Sequence, residues 1–228
     1  MQMCEKARHL EPPATTFKRF CVVIIFGIAF AYIEAAVVVY LRTIFHPDGF
    51  AFPLHDFPIG QHYNFLLTEI GRETATLVLI LSSAWLIGRN LQQRFAYFLA
   101  IFAIWDIFYY IWLKILINWP GSIMDWDILF LIPITWAGPV LAPLLISLTL
   151  LLFAIIILYR CSCGAALKVT LAEWLCFFLT ALVVVVSFCI AGSYITEPDF
   201  QSHFYWSLFV PGNAFAVALF LKCLFKSK

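Results

Sequence analysis

Charge is what this sequence has least of. Only 12% of its 228 residues are Asp, Glu, Lys or Arg, whereas 64% are hydrophobic. A soluble domain is about a quarter charged, so the composition excludes an ordinary soluble protein. The net charge is +1 and no basic stripe is present, which excludes a nucleic-acid partner of the usual electrostatic kind. Reaction signatures are missing as well. There is no GxSxG elbow, no HExxH or ExxH metal spacing, no DxxD pair and no paired-Glu membrane-protease signature. Seven cysteines occur. None falls in an outward-facing loop of the map below, so no structural disulfide is expected. Cys161-Ser162-Cys163 is a CxC without a second pair, which is a poor metal signal.

What the chain does have is apolar length. A membrane-spanning helix needs about 20 apolar residues. Six runs qualify, at about 20–42, 64–88, 95–117, 128–159, 172–195 and 207–225. The fold class is therefore all-α: a polytopic transmembrane bundle of six spans. Residues 1–16 form a polar tail and residues 17–228 a single membrane domain. The run Phe20–Leu41 is too long for a signal peptide and is interrupted by Glu34. Asp125-Trp126-Asp127 is suited to cap a short helix, Ile128 to Ile132, ahead of Pro133. Pro139 and Pro143 then predict a kinked fourth span.

Basic residues are absent from the first, third and fifth loops, at about 43–63, 118–127 and 196–206. The tail holds Lys6, Arg8, Lys18 and Arg19, the second loop Arg89 and Arg94, the fourth Arg160 and Lys168, and the C-terminus three lysines. Positive residues favour the cytoplasmic side, so both termini are expected there, in a bacterial inner membrane.

The charges at membrane depth form the candidate site. Thr68 to Thr76 carries Glu69, Arg72 and Glu73, with the two acids four residues apart on one helical face. At about 1.5 Å per residue, Glu34, Glu73 and Asp106 lie roughly 12, 13 and 16 Å inside the outer ends of spans one to three. Glu34 and Arg42 share one stripe; Asp106, Tyr110 and Lys114 share another, with Tyr109 beside it. If these stripes face inward, the first three helices enclose an outward-facing polar pocket. Glu73, Glu34 and Asp106 are its candidate acid/base groups. Arg72, Arg42, Glu69, Tyr109, Tyr110 and Lys114 are its candidate binding groups. Trp136 beside Gly138-Pro139 is a candidate for lining a planar amphiphile, and Asn213 for bonding a carbonyl freed by Pro211. No metal is expected, and the weak candidate would be His62, one of several loop histidines. No cofactor is indicated.

The stretches Trp105 to Tyr110 (WDIFYY) and Trp126 to Pro133 (WDILFLIP) resemble those of small bacterial multi-pass membrane proteins, over roughly residues 30–145. The resemblance supplies no reaction and no residue roles. From the residues, the leading expectation is a pocket for a lipid or quinone, with or without acid/base chemistry. The rivals are a non-catalytic subunit of a larger membrane complex, for example an electron-transfer assembly, and a small proton-coupled transporter acting as a homo-oligomer. In the first rival the ion pairs would be structural, because charges within a membrane pair wherever they can.

Overall fold

A computed structural model describes residues 13–47, 49–54 and 63–226. The rest of the tail, and His55 and His62 of the first loop, lie outside the described residues. The elements are α1 (Pro13–Phe45), α2 (Tyr63–Ile87), α3 (Leu91–Ile117), β1 (Trp126–Phe130), β2 (Trp136–Pro139), α4 (Leu141–Ser162), α5 (Leu171–Gly192), a 3-10 turn (Phe200–His203) and α6 (Trp206–Lys226). Six helices are long and apolar enough to cross a membrane. The chain is a multi-pass membrane protein.

Small residues set the packing around α3, the central helix. Gly27, Ala31 and Ala35 recur every four residues on α1 and face α3, where Ala96, Ala100 and Ala103 are fully buried. A Cβ at Gly27 would meet the Ile104 side chain at 2.7 Å, so α1 and α3 approach more closely than larger residues allow. α3 also packs along α4 and against α2. α5 pairs with α6, and that pair meets the remainder mainly through β2.

Helix ends follow local chemistry. Asn90 caps α3 by accepting the Gln93 N–H at 2.9 Å, and Asn118 closes it in the left-handed conformation at φ 53°. Thr170 and Glu173 form a reciprocal capping box on α5.

The largest departure from expectation lies between α3 and α4. The helix expected over Ile128–Ile132 does not form, and the fourth helix begins at Leu141 rather than near residue 128. Residues 126–139 make an antiparallel hairpin, pairing Trp126 with Pro139 and Ile128 with Ala137, with a bulge before Phe130. Asp125 does not cap a helix there. Its carboxylate accepts the N–H groups of Gly121 and Ser122 at 2.7 and 3.1 Å. The Asp125 and Ile123 carbonyls accept the Val140 and Leu141 N–H groups, so the turn itself caps α4. Pro139 ends β2, and Pro143 falls in the first turn of α4, where a missing N–H costs no helical bond.

The hairpin closes one end of the bundle. Trp126 packs with Phe200 (ring centroids 4.9 Å) and Phe204, and Phe52 stacks on Phe200 at 5.4 Å. Leu54 is buried beneath them and donates its N–H to the Ile195 carbonyl at 2.9 Å. A Cβ at Gly192 would overlap the Thr135 carbonyl, so glycine is what lets the hairpin turn rest on the end of α5. This side is called the hairpin end below.

Candidate functional site

Three of the expected residues meet just beneath the hairpin. Arg72 of α2 bridges two acids: its Nη1 pairs with Glu34 of α1, and its Nε donates to Glu69 at 2.7 Å. The second Glu34 oxygen accepts the Thr76 hydroxyl at 2.6 Å. Glu34 is only 4% exposed and has partners for both oxygens. Such full satisfaction is what allows a buried charge to persist.

Glu73 lies one turn beyond Glu69 and is also buried, but it takes a different partner. It accepts the Leu131 N–H at 2.8 Å, at the end of β1. Asp106 of α3 accepts the Ser147 hydroxyl of α4 at 2.8 Å. Among the described residues neither Glu73 nor Asp106 forms an ion pair.

Arg42 reaches a residue that the sequence reading left out of the site. Its Nη2 pairs with Asp127 of β1 at 3.0 Å, and its guanidinium lies against the faces of Trp119 (3.8 Å) and Phe50 (4.2 Å). The Tyr109 hydroxyl donates to the other Asp127 oxygen at 3.4 Å, and the Ile128 N–H donates to the first at 3.0 Å. Burial pushes the Asp127 carboxyl above its ordinary range, and the Arg42 charge draws it part of the way back. Burial, helped by Arg42, lowers the pKa of nearby His46.

Two placements are corrections. Lys114 does not join the polar cluster. It lies exposed at the end of α3 and donates to the Asn118 and Pro120 carbonyls at 3.3 and 2.9 Å, where a cation complements the helix terminus. Asn213 does not repair a carbonyl freed by Pro211. Its side-chain N–H donates to the Thr149 hydroxyl at 3.2 Å and so ties α6 to α4.

The polar groups open onto a cavity of about 790 Å³, within the roughly 300–1,000 Å³ of small-molecule sites. The first three helices do not enclose it by themselves, as the stripes suggested. All six helices and the hairpin contribute to its lining. Glu34, Arg72, Glu73, Asp106, Tyr109 and Tyr110 line the hairpin end, near Trp136. Trp136 belongs to β2, not to a helix, and stacks on Phe188 at 6.3 Å. Towards the far end the walls become mostly apolar, with Phe98, Phe102, Phe153 and Phe177, broken by Thr149, Thr180, Asn213 and Gln92, and they finish near Leu91 and Cys223. Leu91 and Tyr110 both line it, nineteen residues apart on α3, so it runs about 28 Å along the helix. That is close to the roughly 30 Å of a bilayer's hydrocarbon core.

A second chamber of about 180 Å³ lies beside the first, lined by Arg42, His46, Phe50 and Asp127 among others. Arg72, Glu73 and Tyr109 line both chambers.

Three donors on the cavity wall stand out. The Nε1 atoms of Trp105 and Trp136 and the hydroxyl of Tyr110 are buried and find no acceptor among the described residues. Buried polar groups are nearly always hydrogen-bonded, and these three unpartnered donors belong to residues that line the cavity.

Of the residues expected at the site, Glu34, Arg72, Glu69 and Glu73 lie close together, and Glu34, Arg72 and Glu73 line the large cavity with Asp106, Tyr109, Tyr110 and Trp136. Sequence reasoning missed Asp127, Thr76 and Ser147. Asp127 carried one usable signal: an acid inside the apolar stretch Trp126 to Pro133, with Arg42 otherwise lacking a partner. His62 lies outside the described residues, and among those residues no cluster of three His, Cys, Asp or Glu side chains is arranged to hold a metal.

No protein-family model, no curated protein and no solved structure matches the chain.

Proposed function

We propose that this protein binds one membrane amphiphile, a lipid or a quinone, in the 790 Å³ cavity. The head group lies at the hairpin end among Glu73, Asp106, Tyr109 and Tyr110, and the tail runs along the phenylalanine wall towards Cys223. The observation that carries this reading is the graded lining. One cavity spans about the thickness of a membrane's apolar core, with all its charged groups at one end and mostly apolar walls along the rest, where Thr149, Thr180, Asn213 and Gln92 are the polar exceptions. A site shaped for a small soluble molecule would not need a cavity about 28 Å long with mostly apolar walls beyond its polar end. A purely structural ion-pair network would leave no void beside it. Glu73 and Asp106, which each accept a single protein hydrogen bond, are the groups we assign to proton exchange with a bound head, while both Glu34 oxygens are taken by Arg72 and Thr76.

The entry route follows from the packing. α2 and α5 both line the cavity, and no packed interface joins them among the described residues. An amphiphile enters sideways from the bilayer through that gap. The membrane is a bacterial inner membrane, with both termini cytoplasmic and the hairpin end outward. The far end carries Arg89, Arg94, Arg160 and Lys168, as cytoplasmic ends do. At the hairpin end Arg42 and Arg72 are neutralised by carboxylates.

The test is ligand retention. The protein, purified in mild detergent, retains one tightly held amphiphile per chain in native mass spectrometry. Ala216→Phe, which fills the cavity from α6, abolishes retention while the fold survives. Equal retention by the variant and the parent sinks the proposal. Orientation is read separately with a membrane-impermeant maleimide. Cys163, exposed in the turn after α4, reacts in inverted vesicles and not in intact cells.

A further inference from the structure

We infer that the head group held here is uncharged and carries hydroxyl or carbonyl oxygens, as in a monoacylglycerol or a quinol. This rests on the amphiphile reading above and adds the chemistry of the head.

The first argument is charge. The described lining of the large cavity holds three carboxyls, Glu34, Glu73 and Asp106, and one guanidinium, Arg72. Arg72 is already engaged by Glu34 and Glu69. A phosphate or carboxylate head would enter a low-dielectric site, face an excess of acids and find its one cation occupied. An ion that is desolvated without a partner is strongly disfavoured. The other nearby cation, Arg42, lines the smaller chamber and is held by Asp127.

The second argument is hydrogen-bond complementarity. Tyr110 and Trp105 are 4% and 8% exposed, and their O–H and N–H, with the Trp136 N–H, have no acceptor among the described residues. Acceptor oxygens on a ligand, met by a small turn of these side chains, would satisfy them. An ammonium head offers none, so the acid excess alone does not make this a cation site. Glu73 and Asp106 each accept one protein hydrogen bond. A carboxyl group has lone pairs to spare beyond one, and a ligand hydroxyl can donate to these. An uncharged head with hydroxyl or carbonyl oxygens meets both demands.

The experiment compares probes sharing one apolar chain on the full protein in detergent, titrated in native mass spectrometry. 1-Monopalmitoylglycerol is the neutral probe, palmitoyl lysophosphatidate the anionic one and hexadecyltrimethylammonium the cationic one. A decyl-benzoquinol arm separates a quinone-type head from a glycerol-type head. The better neutral probe forms a saturable one-to-one complex at a concentration at least about tenfold lower than either charged probe. Each lost neutral hydrogen bond is worth about 1 kcal/mol, so Tyr110→Phe combined with Trp136→Phe weakens the neutral complex by roughly tenfold or more. Asp106→Asn, which keeps an acceptor for Ser147, narrows the gap between the neutral probe and lysophosphatidate. A charged probe binding as tightly as both neutral ones overturns the inference and leaves the cavity reading standing. So does an unchanged neutral complex in a folded Tyr110→Phe, Trp136→Phe protein; if that protein does not fold, Trp136→Phe alone is scored in the same way. Failure of every probe to give a saturable complex overturns the cavity reading itself.

Discussion

Glu73 on α2 accepts the backbone N–H of Leu131 at 2.8 Å, across 58 residues of chain. One carboxyl thereby fastens the hairpin to the membrane helices, and the same side chain lines both chambers. Substitution isolates the anchoring role. Glu73→Gln retains an acceptor oxygen for Leu131, whereas Glu73→Ala leaves a buried N–H without one, at a cost of about 1–3 kcal/mol. Thermal unfolding in detergent is expected to fall clearly for Glu73→Ala and little for Glu73→Gln. Hydrogen exchange at Leu131 should accelerate only in the alanine variant. Equal exchange in both variants would show that the hairpin does not depend on this bond.

Arg72 is the one cation shared by Glu34 and Glu69. Removing one partner of a buried pair costs about 3–5 kcal/mol, because the other charge is left uncompensated. Arg72→Met is therefore expected to be severely destabilising alone. Combined with Glu34→Gln it should recover part of that loss, since Gln can still accept from Thr76. A double-mutant cycle measured by chemical unfolding should give a coupling on the order of 1–3 kcal/mol. Strict additivity would mean that α1 and α2 are not coupled through this pair.

His46 gives the site a pH dependence. Its lowered pKa means the folded state disfavours the imidazolium relative to the unfolded chain, where the ordinary value is 6.5. The stability tied to neutral His46 is fully present above 6.5 and is lost as pH falls through the lowered folded value. Thermal stability followed from about pH 7 to pH 5 should decline, and His46→Gln should flatten that part of the profile. A profile unchanged by the substitution would place the titration elsewhere.

The six helices were legible because a bilayer demands about 20 apolar residues per crossing, a constraint strong enough to read without alignment. The Glu69–Arg72 pair was legible from i,i+3 spacing, whereas depth grouped Glu34 with Glu73 and Asp106 and did not reveal its pairing with Arg72. The hairpin was not legible. Ile128 to Ile132 is a short, unbroken apolar run, which lacks the alternation that marks a half-exposed strand. Its partner Trp136–Pro139 carries Gly138 and Pro139, residues that argue against a strand. With the hairpin hidden, Asp127 looked like a helix cap and Arg42 had no visible partner. Lys114 shares the Asp106 stripe by spacing, but it sits in the last turn, where the αL residue Asn118 offers it a carbonyl instead. The cavity was hidden for another reason. It depends on how the α5–α6 pair stands against α3 and α4, and no local spacing encodes that arrangement.

The hairpin closes the polar end of the cavity, and Gly192 decides whether it can seat. A side chain there would overlap the Thr135 carbonyl, which is backbone and cannot swing aside as a side chain would. Overpacking a close contact costs about 1–3 kcal/mol. Here the relief available is for the hairpin to lift from α5, which would move Trp136 off Phe188 and strain the Leu131–Glu73 bond. Gly192→Val is therefore expected to lower thermal stability and, where the protein still purifies, to release the retained amphiphile. Gly71→Ala on α2 is the control, because a Cβ there meets no atom within 4 Å; it should leave retention unchanged and thermal stability undiminished, since Ala is favoured over Gly in a helix interior by about 1 kcal/mol. A Gly192→Val protein that binds and melts like its parent would show that the close contact with Thr135 does not hold the hairpin in place.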